Sequence, residues 1–418
     1  MMIPSIDLMG GRAVQLIGGR EMAIDAGDPF PIAEKFSVAG EIAVIDLDAA
    51  MGRGNNRELI ERLTAKYDCR VGGGIRDYDT ALRWLDAGAR KIIIGTAAQP
   101  ELLSRLPRDR VIAALDAVHG EIVVEGWTKK TSETVLERLA ELRDLVGGFL
   151  VTFVELEGRM QGIDLDEVRR VIDAAGHARV TVAGGVAEAA EIGEIDRMGA
   201  DAQIGMALYS GKMDLADAIA APLTSDRPDG LWPTVVCDEH GVALGLAWSN
   251  AESVREAVRT KSGVYHSRRR GLWRKGESSG QTQDLIRIDL DCDRDCLRFV
   301  VNQRGSGFCH NDTRTCWGSD GGLNALARRL AARKKDAPPG SYTARLLSDP
   351  ALLRAKLCEE AGELADAKDP AHVSEEAGDL LYFAMAALAR SGVSLSDVER
   401  VLDLRSRKLT RRTGDAKN

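Results

Sequence analysis

Residues 69–75, CRVGGGI, and residues 179–186, RVTVAGGV, are two short apolar runs that each close on adjacent glycines. Another glycine-ended run follows each at nearly the same distance, KIIIGTA at 91–97 and DAQIGMA at 201–207. Upstream of each pair an aspartate closes an earlier apolar run, Asp7 in the first half and Asp116 in the second. Corresponding intervals in the two halves agree to within two residues, so the segment is a duplication. Working outward, VIDLDAA (44–50), RVIAALDA (110–117) and FLVTFVEL (149–156) supply further runs, with helical patterns over Asp79–Ala87 and Thr131–Leu145 between them. Near-continuous apolar strands alternating with amphipathic helices describe a parallel sheet covered by helices. Two similar halves of four strand-helix units predict a (β/α)8 barrel, the TIM-barrel architecture, over residues 1–223. A doubly wound open sheet would accommodate the alternation but not the repeat.

The 418 residues are long enough for two to four domains. At 44% hydrophobic and 29% charged, the composition is that of an ordinary globular protein, against long disordered tails or a coiled-coil rod. A net charge of −8 argues against a general nucleic-acid binder. The longest uncharged runs, Leu145–Val154, Gly241–Ala251 and Leu380–Ala389, fall short of the ~18–20 residues that cross a bilayer, so no membrane partner is expected. Asp7 interrupts the apolar core a signal peptide would need, and a cytoplasmic location is expected. Four of the seven cysteines, Cys292, Cys296, Cys309 and Cys316, fall within 25 residues, which in such a chain suggests metal rather than disulfides.

The texture changes twice. After a polar joint at Thr224–Gly230, residues 224–318 read as an α+β domain with antiparallel strands. Ile286, Ile288 and Leu290 alternate there with Arg287 and Asp289, and Leu297–Val301 alternates similarly. After Gly318–Gly322, residues 319–418 read as all-α. Asp349-Pro350 and Asp369-Pro370 each provide an N-cap followed by the proline tolerated at a first helical position, and Gly392 is placed to end the second helix.

Chemistry in a barrel sits at the C-terminal ends of its strands. Asp7 and Asp116 occupy equivalent strand ends, so they should face each other across the mouth, one accepting a proton while the other donates one, as an aldose–ketose type rearrangement requires. Turns at Gly73-Gly74, Gly95-Thr96, Gly184-Gly185 and Gly205 expose backbone N–H groups suited to phosphate, on two opposite sides. IPSIDLMGGRAVQL (3–16), AVIDLDAA (43–50), VGGGIRD (71–77), EGWTKKT (125–131) and VAGGV (182–186) resemble the histidine-pathway isomerase that acts on the bis-phosphorylated compound ProFAR. The resemblance implies Asp7 as base, Asp116 as acid and a role for Thr152. One departure stands out. Phe153 and Glu157 occupy positions where the family's T-D-x-x-(R/K)-D-G segment carries aspartates, while Thr152 and Gly158 match it.

In the middle segment Asp291, Asp293 and Asp295 share a turn between two strands. Strict alternation would point their carboxylates one way, toward a hard cation such as Mg2+, and Cys292 the other. Three clustered cysteines leave a fourth zinc position open, the mark of a catalytic site, with His310 or His266 available to move a proton; His310 could alternatively close a structural site. Arg268, Arg270, Arg274 and Lys275 lie among glycines and hydroxyls in a loop suited to one nucleotide phosphate. SRRRGLWRKGESSG (267–280), DLDCDRD (289–295) and GFCHNDTRTCW (307–317) resemble phosphoribosyl-AMP cyclohydrolase. That resemblance implies zinc on Cys292, Cys309 and Cys316, Mg2+ on Asp291, Asp293 and Asp295, and a dimer that shares its zinc site.

In the tail, Glu359, Glu360 and Glu363 are at i, i+1 and i+4, and Glu375, Glu376 and Asp379 repeat that spacing on the next helix. If the two acidic faces meet, Mg2+ is their natural counter-charge. With PGSYTARLL (339–347) they resemble phosphoribosyl-ATP pyrophosphohydrolase, which implies Mg2+ on Glu359, Glu360, Glu363, Glu376 and Asp379. The joint SDRPDGLW (225–232) and the stretch LTRRTGDAK (409–417) resemble the fungal multifunctional histidine-pathway proteins without their dehydrogenase part. The expected function is pyrophosphohydrolysis, ring opening and isomerisation of phosphoribosyl nucleotides, by a homodimer or larger homo-oligomer. The alternatives are a bifunctional hydrolase whose barrel is a scaffold, and a zinc and nucleotide-binding protein without turnover.

Overall fold

The computed structural model describes residues 1–124, 129–338 and 340–410; most of the 125–131 motif and of the 409–417 motif lies outside them. Eight parallel strands close on themselves: β1 (Met2–Met9), β2 (Ile42–Asp46), β3 (Cys69–Gly72), β4 (Lys91–Ile94), β5 (Val111–Val118), β6 (Gly148–Phe153), β7 (Arg179–Ala183) and β8 (Asp201–Ile204). Each pairs with the next, and β8 returns to β1 with Ala202 opposite Met2. Ile93, Ile112, Leu150 and Ala183 fill the barrel interior together with Ile45 and Ala114. The doubly wound alternative is excluded by that closure.

One helix begins later than the pattern predicts. Thr131–Thr134 belongs to a strand, Lys129–Thr134, paired antiparallel with Glu121–Val124, and the helix is Val135–Leu142. β-Branched threonines favour the strand, and Thr134 then caps the helix through a reciprocal box with Glu137.

Six strands follow the barrel: β9 (Trp232–Asp238), β10 (Ala243–Ser249), β11 (Val264–Ser267), β12 (Gly271–Arg274), β13 (Gln283–Leu290) and β14 (Leu297–Gln303). Four of them form a sheet in the order β10-β9-β14-β13. The sheet is mixed, not antiparallel throughout, because β9 and β14 run parallel. The helix Ala251–Thr260 and the β11/β12 hairpin provide the long crossover that a parallel pair needs. A bulge between Leu285 and Arg287 also breaks the expected alternation. Ile286 is exposed, whereas Leu285 and Ile288 are buried.

This sheet docks at the N-terminal end of the barrel, away from the mouth. Strand β13 packs on the Ser37–Ala39 turn that leads into β2, and Lys261 pairs with Glu34 at 2.6 Å. Residues 407–410 return to the same end: Asp86 accepts the backbone N–H of Leu409 at 2.7 Å, and Arg407 pairs with Asp68, just ahead of β3, at 3.2 Å.

The chain divides into two compact units, Met1–Gly305 with Arg407–Asn418, and Ser306–Ser406. The second holds five helices, Gly322–Lys335, Tyr342–Ser348, Pro350–Asp366, Pro370–Ser391 and Leu395–Ser406, around a core of Leu346, Leu353, Phe383 and Ala386. Asp349 and Asp369 cap their helices as the sequence predicts, and Gly392 ends the longest one at φ +74°. Among the described residues no helix is long and apolar enough to cross a membrane.

Candidate active sites

A cavity of about 280 Å³ opens at the C-terminal ends of the barrel strands. It gathers every barrel residue assigned a catalytic or phosphate-binding role from the sequence: Asp7, Gly73, Gly74, Gly95, Thr96, Asp116, Thr152, Gly184, Gly185 and Gly205. Asp116 on β5 stands in register with Thr152 on β6, and Asp7 on β1 stands beside Ile45 on β2. Burial pushes the Asp7 carboxyl up to about 7, into the range where a base can take and return a proton near neutrality. The Nε2 of Gln15 lies 3.5 Å from Asp7 Oδ2.

The duplication is visible in the glycine turns. A side chain on Gly73 (φ +94°) would meet the carbonyl oxygen of Asp46 at 2.2 Å, and one on Gly184 (φ +87°) would meet that of Phe153 at 2.5 Å. Only glycine suits either place. Asp46 and Phe153 are therefore equivalent positions in the two halves. The Asp46 carboxylate caps the loop after β2, accepting the N–H groups of Ala49 and Asn56, whereas Phe153 is buried and absent from the cavity wall. Phe153 thus stands at the position that in the first half caps a loop, outside the cavity wall.

Glu157 is the cavity residue that strand-end reasoning did not select. It lies on the turn after β6, and its carboxyl is pushed up to about 8, by burial first and then by Asp7 and Asp116. The folded chain keeps that proton up to about pH 8, whereas the unfolded chain releases it near its ordinary value of 4.5. Stability therefore falls as pH rises between those values, and the loss is complete above the upper one. Glu157→Gln should raise the melting temperature of the barrel by a few degrees at about pH 9 and change it little at about pH 4.5, measured by scanning calorimetry.

In the middle sheet, oxygen atoms of Asp291, Asp293 and Asp295 lie within 4.8 Å of one another on the β13–β14 turn. Asp293, then Asp291, holds the Asp295 carboxyl above its usual range, and three convergent carboxylates are a donor set that fits a hard cation. The turn is not extended. Arg294 adopts φ +65°, and Cys292 Sγ lies 3.9 Å from Asp293 Oδ1 instead of pointing away from the carboxylates. In the basic hairpin, Arg268 and Arg270 are exposed beside Trp248 and Trp273. Arg274 is paired with Glu256 at 2.9 Å, and Lys275 is buried. The His266 ring contacts Asn250 at 3.1 Å.

In the second unit Cys309 is a buried free thiol hydrogen-bonded with Cys316, and His310 is exposed on the same turn. Hydrogen bonds from the Asn311 backbone, then from Thr313, and further on from Cys316, hold the Cys309 thiol below its usual range, which suits a thiolate metal ligand. The acidic helix faces do meet. Glu360, Glu376 and Asp379 converge within 4.8 Å, as do Glu359, Glu360 and Glu363. His372 pairs with Glu376 Oε1 at 3.1 Å, while the buried Glu376 Oε2 has no hydrogen-bond partner among the described residues, an arrangement that a cation would fit. Lys356 reaches Glu359 and Glu360 at 2.9 and 2.8 Å, a cation near the acidic faces that the spacing did not reveal. Glu375 lies outside both groups. Ser341 and Thr343, from the 339–347 motif, line a separate cavity with Arg329, Arg333 and Tyr382.

Three family models match the chain: Histidine biosynthesis protein over residues 1–214, Phosphoribosyl-AMP cyclohydrolase over 245–318, and Phosphoribosyl-ATP pyrophosphohydrolase over 323–406. The histidine biosynthesis trifunctional protein of Neurospora crassa is 42% identical over 351 residues, covering 82% of this chain and 38% of that protein. The histidine biosynthesis bifunctional protein of Schizosaccharomyces pombe is 58% identical over 206 residues, 49% of each. These relatives are longer, and the chain spans no more than about half of either. A Methanoregula boonei protein named as an imidazole-4-carboxamide isomerase with phosphoribosyl groups is 40% identical over 232 residues, covering 52% of this chain and 97% of that protein. The chain therefore belongs to the histidine biosynthesis protein family, its barrel joined in one polypeptide to phosphoribosyl-AMP cyclohydrolase and phosphoribosyl-ATP pyrophosphohydrolase domains.

Proposed function

We propose that this chain carries out three consecutive steps of histidine synthesis in reverse order along its length. The helical domain hydrolyses phosphoribosyl-ATP to phosphoribosyl-AMP and pyrophosphate, the middle domain opens the purine ring to give ProFAR, and the barrel isomerises ProFAR to its ribulosyl form. The observation that carries the isomerase reading is the single cavity in which Asp7 and Asp116 lie between two duplicated glycine turns. That layout suits a substrate with a phosphate at each end. Asp7 takes a proton from the sugar carbon, Asp116 delivers one to the ring oxygen, and the glycine N–H groups hold the phosphates so that only the reacting centre moves.

Asp291, Asp293 and Asp295, and separately Glu359, Glu360, Glu363, Glu376 and Asp379, would hold Mg2+. Cys309 and Cys316 would hold zinc, with Cys292 the third thiolate by its motif. When bound, zinc lowers the pKa of its water toward about 7 and Mg2+ gathers phosphate oxygens. Arg268 and Arg270 are free to meet the nucleotide phosphate, and His310 to move a proton. Seven free thiols suit a reducing, cytoplasmic setting, and exposed Leu381, Val401 and Leu402 on the helical domain support a homodimer or larger assembly.

Incubating the chain with phosphoribosyl-ATP, Mg2+ and Zn2+ tests the reading. Products should run through to the ribulosyl isomer. A series ending at ProFAR would favour the scaffold role for the barrel, and unchanged phosphoribosyl-ATP would refute all three steps. For the isomerase step, kcat/KM should rise with pH and level off above about 7, because Asp7 must be ionised to accept a proton.

A further inference from the structure

We propose that Asp196, a residue of the barrel, is a positioning residue for the acidic turn of the cyclohydrolase domain. The inference rests on reading Asp291, Asp293 and Asp295 as a cation site. The side chain of Asp196 ends the helix Ala189–Arg197 and is only 5% exposed. Its two oxygens receive the Arg294 guanidinium as a fork, Nε to Oδ2 at 2.8 Å and Nη2 to Oδ1 at 3.0 Å, and Oδ1 also takes the Met1 ammonium at 2.6 Å. The same guanidinium donates from Nη1 to the carbonyl oxygen of Asp291. The Arg294 carbonyl in turn accepts the N–H of Thr224 at 2.8 Å, from the joint that leaves the barrel.

Arg294 is thus gripped through its side chain and its main chain, both from the barrel side, at the centre of the turn that carries the three carboxylates. It needs such a grip. A φ of +65° is costly for a residue with a Cβ, and persists where surroundings over-determine it. Within the turn, Asp291 Oδ1 is engaged by the N–H groups of Asp295 and Cys296, both at 3.1 Å. The turn is therefore pinned at Asp291 and Arg294, which leaves Asp293 and Asp295 converging on open space. Groups behind metal ligands that fix their direction typically change metal affinity about 10–100-fold when removed. Asp196 stands in that relation to the acidic turn, so the barrel prepares the ring-opening domain for its cation.

Mn2+ binding to the full chain, read from the paramagnetic resonance signal of free Mn2+, tests this. The relevant sites are those lost in Asp293→Asn; the helical-domain sites serve as an internal standard. Asp196→Asn should weaken the Asp293-dependent binding about tenfold or more, and Asp196→Glu should recover most of it. Arg294→Gly relaxes the backbone but removes the fork, and should weaken binding as much as Asp196→Asn does. The double variant should be no weaker than Arg294→Gly alone, because the fork is the interaction through which Asp196 reaches the turn. Wild-type affinity in Asp196→Asn, or additive losses in the double variant, would overturn the positioning role while leaving the cation reading intact. Mn2+ binding unaltered by Asp293→Asn would sink the cation reading, and the inference with it.

Discussion

Asp7→Asn should lower turnover of ProFAR about a hundred- to ten-thousandfold, the range that a positioned general base contributes, with KM changed by less than about threefold. Asparagine keeps the shape of aspartate and the contact with Gln15 but cannot accept the proton. The turns proposed to hold the phosphates, Gly73-Gly74 and Gly184-Gly185, are backbone turns packed on Asp46 and Phe153, and they are untouched by the change. The loss should therefore fall on kcat. Ring opening by the same variant should persist, because the middle sheet docks at the opposite end of the barrel, and so should pyrophosphate release, whose acidic helices belong to the other compact unit. Steady-state kinetics on ProFAR and phosphoribosyl-ATP separate these outcomes. Undiminished isomerisation would remove Asp7 from the chemistry and favour another proton acceptor in the same cavity, with Glu157 the nearest in kind.

The barrel was legible because it is written twice. Repeated intervals between aspartates and glycine pairs constrain topology in a way that no single strand pattern does, and the glycine turns sit at the mouth because the close approaches to Asp46 and Phe153 exclude any side chain. What escaped was set by tertiary context. Ile286 fits an alternating strand, but the bulge beside it turns its side chain to solvent. The parallel pairing of β9 with β14 depends on a crossover whose return direction no local pattern encodes. Glu157 fell outside the strand ends used to find the site, and only the curl of the turn after β6 brings its carboxyl to Asp7 and Asp116. Phe153 departs from the family segment, and a motif by itself does not distinguish a loop cap from a group that faces the cavity. The equivalence with Asp46 makes that distinction.

The two ends of the barrel divide its labour. Chemistry collects at the mouth, while the far end receives the middle sheet, the returning residues 407–410 and the fork between Asp196 and Arg294. Conserving the fold of such an end ordinarily serves stability alone. On the proposed role of Asp196 that end also steadies a turn of carboxylates in the next domain, so a barrel without turnover should still alter cation binding there.

Cys309→Ser should abolish ring opening and zinc retention together while pyrophosphate release continues, so that phosphoribosyl-AMP accumulates. A serine hydroxyl does not ionise under conditions where a thiol can, and zinc is held by the ionised sulfur. The structure prepares Cys309 for that state, since the donors around its sulfur come from Asn311, Thr313 and Cys316. Cys296 is the control. It lies in the same stretch of sequence, but burial first, and the Asp291 carboxylate next, push its thiol up, and its Sγ is directed to the Leu297 carbonyl at 3.5 Å. Cys296→Ser should therefore keep both zinc and ring opening. Zinc content of the dialysed proteins by atomic absorption, beside a phosphoribosyl-AMP assay, reads both variants at once. Zinc retained and ring opening undiminished in Cys309→Ser would show that the thiol is no ligand; loss of zinc in Cys296→Ser would shift the assignment to the wrong-looking sulfur and with it the geometry of the site. The contrast turns on the hydrogen bonds that the Cys309 sulfur receives and on the burial and negative charge around the Cys296 sulfur, which is why two cysteines so close in sequence should answer the same substitution in opposite ways.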